Sequence, residues 1–465
     1  MRARILAVAG VLTIALLLIS GAGGAVSTAA VGVDPATAVR QVGLLNYAGP
    51  SCPGVGWNCT TATNVVQVAS AGGQNRFECA PADAQVYPTD EGANTCVIEQ
   101  TGDNNKARCK LRDTEEPTSV QTCMVTQTGK RNSADIDMAI EQKVGPDQDG
   151  QQTATVVQTA SERNQSQIHQ MVKQQTSTGM TQTQDGYQLA DVQQLTMGGS
   201  VSNFSHVHQS QDQNESGNAA TQNQNRSLPL PSYCDEKQAN QCLLLLQTNG
   251  GGKNDSHLHQ AIGERQTTKA LSATQTQGLA DNGNEGAVHQ ENPDGVGENN
   301  DHAHQTLAQR QSGPNGTTNQ TQETDPRCCG GSQLGGQMNR EDINQATTQS
   351  ATEEYASQFS SLFGEVHQVS DPANSCRIDH HARNNTESTH ESVSGTDLEC
   401  GGLFLITTCT NGGEVEGCMT TETPPCEECF IPILSVPTSA TFRRDIAMPN
   451  YTSEPSDYTD PGGWW

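Results

Sequence analysis

One seven-residue pattern constrains this chain more than any other feature: Asn, a small residue two places on, an aliphatic at four and Gln at six. It reads Asn164-Ser166-Ile168-Gln170, Asn203-Ser205-Val207-Gln209, Asn254-Ser256-Leu258-Gln260, Asn284-Gly286-Val288-Gln290 and, more loosely, Asn339-Glu341-Ile343-Gln345. Asn105-Ala107-Cys109 and Asn132-Ala134-Ile136 keep the first three places, and Asn374-Cys376-Ile378 has His380 at the fourth. Marks of equal parity over seven residues are a strand signature, because alternate residues of a strand point to one face. The Asn, the small residue, the aliphatic and the Gln therefore share a side.

The copies are also spaced. Gln260, Gln275, Gln290, Gln305 and Gln320 fall every 15 residues, as do Gln194, Gln209 and Gln224, while Asn75 and Asn105 stand 30 apart. A unit of 15, or a coil of 30 made of two such halves, accounts for both steps. Between copies lie turn formers such as Gly102-Asp103-Asn104 and Asn292-Pro293-Asp294-Gly295. The expectation is an all-β fold, a β-solenoid or cross-β stack of short strands with disulfide-rich ends. Roughly eleven coils over residues 65 to 400, at ~4.8 Å each, would make a rod of about 50 Å.

Such a stack explains how amides can lie inside. An Asn or Gln stacked on its copy in the next coil both donates and accepts, each bond netting ~0.5–1.5 kcal/mol, whereas an unpaired buried amide costs ~1–3 kcal/mol. The predicted ladder residues are Asn164, Gln170, Asn203, Gln209, Asn254, Gln260, Gln275, Asn284, Gln290 and Gln305, with Gln275 and Gln290 stacked in adjacent coils or half-coils. Composition alone would suggest disorder, since only 33% of the chain is hydrophobic and 4% aromatic. Disorder does not require an aliphatic in phase with each Asn.

The repeats resemble those of the curlin family, whose pattern is Gln-x-Gly, two residues, Asn-x-Ala, three residues, Gln. Gln100-Thr101-Gly102 with Asn105-Lys106-Ala107, and Gln127-Thr128-Gly129 with Asn132-Ser133-Ala134, match its first half. Gly217-Asn218-Ala219-Ala220 with Gln224, and Gly283-Asn284 with Gln290, match its second. The likeness covers residues 65–395. It implies a secreted β-solenoid subunit that stacks into amyloid-like fibres of a biofilm or cell surface. The chain departs from the family in its variable linkers and cysteine-rich ends, and in Leu228-Pro229-Leu230-Pro231, with Cys234 and Cys242, which is expected to interrupt the stack.

The remaining features fix compartment and partners. Arg2 and Arg4, an apolar run from Ile5 to Ile19 and a small-residue stretch to Ala30 read as a secretory signal over residues 1–30, with no later segment long enough to anchor the mature chain in a membrane. A formal charge of −27 excludes nucleic acid and favours cations or basic surfaces. The 16 cysteines of an exported chain are expected to pair as disulfides. They divide it into a cysteine-containing segment at 31–64, repeats at 65–227, a Pro/Cys interruption at 228–246, repeats at 247–395, a cysteine-rich cap at 396–434 and a tail at 435–465.

Histidine forms the one outward pattern. His206, His257 and His302 hold the third place after an Asn, and His169, His208, His259, His289 and His304 the fifth, so all eight fall on the face opposite the ladder. His206, His208, His257, His259, His302 and His304 form His-x-His pairs that could bind Zn, Cu or Ni; a solvated polar face would look the same. No catalytic motif or cofactor signature is present. Function is expected to be structural: self-association or fibre assembly, and adhesion to cell surfaces or matrix polymers. The alternative is a glycan-active β-helix enzyme using acids such as Asp371, Asp379, Glu387 and Glu391.

Overall fold

Inward and outward residues alternate along the strands almost without a break. In the segment Ser202–Glu215, Asn203, Val207, Gln209, Gln213 and Glu215 are buried while their neighbours face outward. A computed structural model describes 22 such strands, and some of the turns between them, within residues 38–410. In chain order they begin with β1 (Ala38–Gly49), β2 (Trp57–Cys59), β3 (Asn64–Cys79), β4 (Ala93–Thr101), β5 (Asn104–Thr114), β6 (Thr118–Gln142) and β7 (Asp147–Thr176). Next come β8 (Thr181–Thr196), β9 (Ser202–Glu215), β10 (Thr221–Gln224), β11 (Gln241–Asn249), β12 (Lys253–Thr267), β13 (Ala273–Gln277), β14 (Asn284–Asn292) and β15 (Glu298–Ser312). The last are β16 (Gly316–Thr324), β17 (Gly331–Gly335), β18 (Met338–Ala351), β19 (Tyr355–Val369), β20 (Ala373–Arg383), β21 (Ser388–Gly395) and β22 (Glu399–Thr410).

The protein is all-β, with one large, almost wholly parallel hydrogen-bonded sheet wound as a solenoid-like stack. Two rows of strands make up each turn. Row A runs β1, β3, β4, β6, β7, β8, β11, β14, β17 and β19; row B runs β1, β3, β5, β6, β7, β9, β12, β15, β18 and β20. Strands β1, β3, β6 and β7 serve both rows because each continues around the corner. Gly102 and Gly129 stand at that corner, where backbones of successive turns nearly touch: a Cβ on Gly129 would lie 1.8 Å from the Gly102 carbonyl oxygen. The second Gln-x-Gly position is therefore a packing requirement.

Between the rows lies a narrow aliphatic core. Ile98, Val125, Val156, Val192, Leu245 and Val288 align in row A, and Ile136, Ile168, Val207 and Leu258 in row B. Each such side chain, fully buried, contributes ~1.5–3 kcal/mol. Two disulfides extend this core at the early end, Cys79–Cys96 and Cys109–Cys123, stacked in register. Cys242 is also disulfide-bonded.

The number of residues per turn is not constant. Successive Asn positions of row B lie 29, 30, 27, 32, 39, 51 and 45 residues apart. This corrects the expected half-coils of 15. Gln260 stacks on Gln305, 45 residues on, with Gln275 and Gln290 at intermediate positions of the same turn. The 15-residue step is thus one third of a turn: a row B strand, then two collinear row A segments. In the later turns those segments are β10 with β11, β13 with β14 and β16 with β17; β8 and β19 span the same length unbroken.

The proline pair expected to interrupt the stack lies outside the described residues, between two strands that both belong to it. β10 and β11, on either side of the prolines, both keep register with β8, as Gln222 with Gln182 and Gln241 with Gln188. The stack also extends before residue 65, since β1 is the first rung among the described residues. At the other end the parallel pattern stops: β21 pairs antiparallel with β20, and β22 antiparallel with β19. The signal-like residues 1–30, most of the cysteine-rich segment and the tail lie outside the described residues. Among the described residues no helix is long and apolar enough to cross a membrane.

Candidate functional site

Interior amides form hydrogen-bonded ladders along the stack. In row B the Nδ2 of Asn46 donates to Oδ1 of Asn75, and the chain continues through Asn105, Asn132, Asn164, Asn203 and Asn254 to Asn299 at 2.8–3.0 Å. Each of these Nδ2 atoms also donates to a row A carbonyl, such as Thr128 or Thr248, which ties the corner shut. In row A the direction reverses. The Nε2 of Gln333 donates to Gln290, and so on down through Gln247, Gln194, Gln158, Gln127, Gln100 and Gln67 to Gln41 at 2.6–2.9 Å. The second hydrogen of each Gln crosses to a row B carbonyl, for example Gln158 to Gln165 and Gln290 to Asn300. Both amide hydrogens are satisfied, which is why such polar side chains can be buried.

Shorter ladders fill the remaining width. Gln345, Gln305, Gln260, Gln209 and Gln170 form one, and Gln241, Gln188, Gln152 and Gln121 another. The predicted residues therefore sort into separate columns. Asn164, Asn203 and Asn254 share the Asn column; Gln170, Gln209, Gln260 and Gln305 share a Gln column; Gln290 belongs to the long row A ladder. Gln275 does not stack with Gln290; it aligns with Gln222 and Thr318. Asn284 likewise leaves the Asn column, aligning with Gln241 in row A. Sequence reasoning missed most of the row A ladder, although Gln-x-small triplets such as Gln67-Val68-Ala69 and Gln158-Thr159-Ala160 mark it.

Four carboxylates are buried among the described residues, Asp113, Glu215, Glu264 and Asp301, and three of them accept from neighbouring side chains. Glu215 accepts from Gln266, Glu264 accepts from Gln309, and Asp301 accepts from the Ser256 hydroxyl. Burial raises the Asp301 pKa to about 7 against the hydrogen bond from Ser256, so this group is held largely protonated below neutrality.

The outer surface of row B carries the histidines in two columns. Register places His206, His257 and His302 in one, and His169, His208, His259 and His304 in the other. Ring centroids are 6.2 and 5.1 Å apart in the first and 4.8, 4.7 and 5.1 Å apart in the second. His289 does not belong to this face; it lies on β14 in row A. Partial burial, then neighbouring imidazoles, lower the pKa of His208 to about 3 and of His259 to about 4. Burial also lowers His257 and His304. Asp137 heads the second column, and the bond from His169 lowers its carboxyl below the usual range. As the rings stand, no three His, Cys, Asp or Glu side chains among the described residues converge as metal ligands.

Of the four acids considered for glycan chemistry, Asp371 and Glu387 lie outside the described residues. Asp379 and Glu391 sit on the antiparallel pair β20 and β21. No protein-family model matches this chain, and neither a curated protein nor a solved structure is significantly similar to it.

Proposed function

We propose that this is a secreted structural protein whose rod contributes to an extracellular fibre, biofilm matrix or cell-surface adhesive layer, in the manner of the curlin-type subunits its repeats resemble. The observation that supports this reading best is the unbroken pair of antiparallel-running amide ladders, from Gln41 to Gln333 and from Asn46 to Asn299. A rung of this kind presents the same backbone and amide groups to a further rung whether that rung is covalently continuous or belongs to another copy. The first strand, β1, carries Val42, Leu44 and Leu45 with large apolar exposure. The signal-like leader and the strongly acidic composition fit export to a surface layer.

The test is assembly of the purified mature chain, followed by thioflavin fluorescence and electron microscopy. Filaments with thioflavin binding are the expected result. A protein that stays monomeric and thioflavin-negative at high concentration would remove the fibre reading. Hydrolysis of any member of a polysaccharide panel, abolished in Asp379→Asn, would replace it with the glycan-active alternative.

A further inference from the structure

We propose that the histidine face is a transition-metal site, in which His257 and His259 of one turn and His302 and His304 of the next hold a divalent ion of imidazole preference, Zn(II) or Cu(II). The register places His257 beside His302 and His259 beside His304, each pair with ring centroids 5.1 Å apart. Within a strand, the two rings of His-x-His leave the same face ~7 Å apart. Four imidazoles therefore stand at the corners of a small rectangle fixed by rigid backbone, and N-rich, square or tetrahedral sets are what these ions take.

The rings are now stacked nearly parallel, at 18° and 11°, so their nitrogens do not share a centre. Metal–nitrogen bonds of ~2.0–2.1 Å require ligand nitrogens about 3–4 Å apart, a spacing reached when neighbouring rings at this separation tilt towards each other. The His257 side chain is 45% exposed and has room for that motion.

Three further features suit a cation. The Asp255 carboxylate lies 3.7 Å from His257 Nε2 and places a negative charge beside the rings. His259 Nδ1 has no hydrogen-bond partner. The columns are also bracketed by acids: Asp137 precedes His169 in register, and Asp342 follows His302. Lys253, paired to Asp255 at 3.0 Å, is an opposing charge. The site needs only two turns of one chain, so it does not depend on polymerisation.

The test is titration of the full mature chain with Cu(II) alone, followed by electron paramagnetic resonance and calorimetry, with circular dichroism as the check on fold. The expected result is at least one Cu(II) per chain with three or four nitrogen ligands. Affinity should fall about tenfold or more in His257→Ala/His302→Ala. His289→Ala, on the other row, should bind like the parent. Should the double alanine variant lose its β spectrum, His257→Gln and His304→Gln are read singly and should each lower the nitrogen count. No binding at micromolar Cu(II), or an affinity and nitrogen count unchanged in folded variants, would overturn the proposal.

Discussion

Between Asn75 and Asn132 the stack takes 30 and then 27 residues to complete a turn, whereas between Asn203 and Asn254 it takes 51. The inner columns pass through both regions unchanged: the same Asn, the same row A Gln and an aliphatic beside them. What differs is the width of the rows and what lies beyond the ladders. Row B strand β5 has 11 residues, while β12 and β15 have 15 each. The early turns hold disulfides where the later ones hold Ile136 with Ala154, and then Ile168 with Ala190. The later turns add amide columns, the buried acids Glu215, Glu264 and Asp301, and the histidine face. Register in such a stack is therefore set by a few inward residues, and length is free wherever a loop can leave the rim.

If that division is correct, breaking a ladder should cost the same in both regions. In the early part, Gln127→Leu leaves the Gln100 oxygen without its donor and the Gln158 amide without its acceptor. In the later part, Gln247→Leu does the same to Gln194 and Gln290. With ~1–3 kcal/mol for each unsatisfied buried group, either change should destabilise by about 3–5 kcal/mol. Chemical denaturation of the two variants checks this. A loss of under about 1 kcal/mol in either would mean that the ladder does not set the register there.

Removing the early bridges should separate the regions. Cys79–Cys96 and Cys109–Cys123 close chain segments of 17 and 14 residues, each contributing about 3 kcal/mol by restricting the unfolded chain. With the early bridges removed in Cys79→Ala/Cys96→Ala/Cys109→Ala/Cys123→Ala, and the bond at Cys242 left intact, amide hydrogen exchange should accelerate in β3, β4 and β5, with β12 and β15 nearly unaffected. Uniform acceleration would show that the stack melts as one unit and that the early turns have no separate dependence on their bridges.

The parts of this architecture legible in the sequence were those carried by parity. The Asn-led motif names one side of one strand, and period two is enough to place Asn164, Ile168 and Gln170 inside together. Parity also separated His257 and His259 from the ladder. It could not tell which row a motif belongs to, since both rows obey the same alternation. Asn284-Gly286-Val288-Gln290 carries the motif yet lies in row A, and with it His289. Nor could spacing distinguish a turn from a third of a turn, because Gln260, Gln275, Gln290 and Gln305 are equally spaced whether they stack or follow one another around one coil. Only long-range pairing resolves that, and it is absent from any local window. The buried acids were invisible for a related reason: a Glu on the inward parity looks like any other Glu in so acidic a chain.

One of those acids offers the finest test of the comparison, because it marks where a later turn departs from a complete ladder. The column Gln142, Gln174, Gln213 is built by each Nε2 donating to the preceding oxygen, at 2.8 and 2.7 Å. Its next rung is Glu264, which accepts from Gln309 at 2.9 Å, and the Oε1 of Gln213 has no hydrogen-bond partner. A carboxylate in that place has no hydrogen to offer downward. Glu264→Gln supplies one while keeping an oxygen for Gln309, and it removes an acid from the interior. The variant should be more stable by about 1 kcal/mol at pH 7, the net worth of one buried hydrogen bond. A thermal melt at pH 7 reads the difference. Destabilisation at pH 7 would show that the carboxylate is held by contacts an amide cannot replace, and that this column ends at Gln213 by design of the later turns rather than by a mismatched rung.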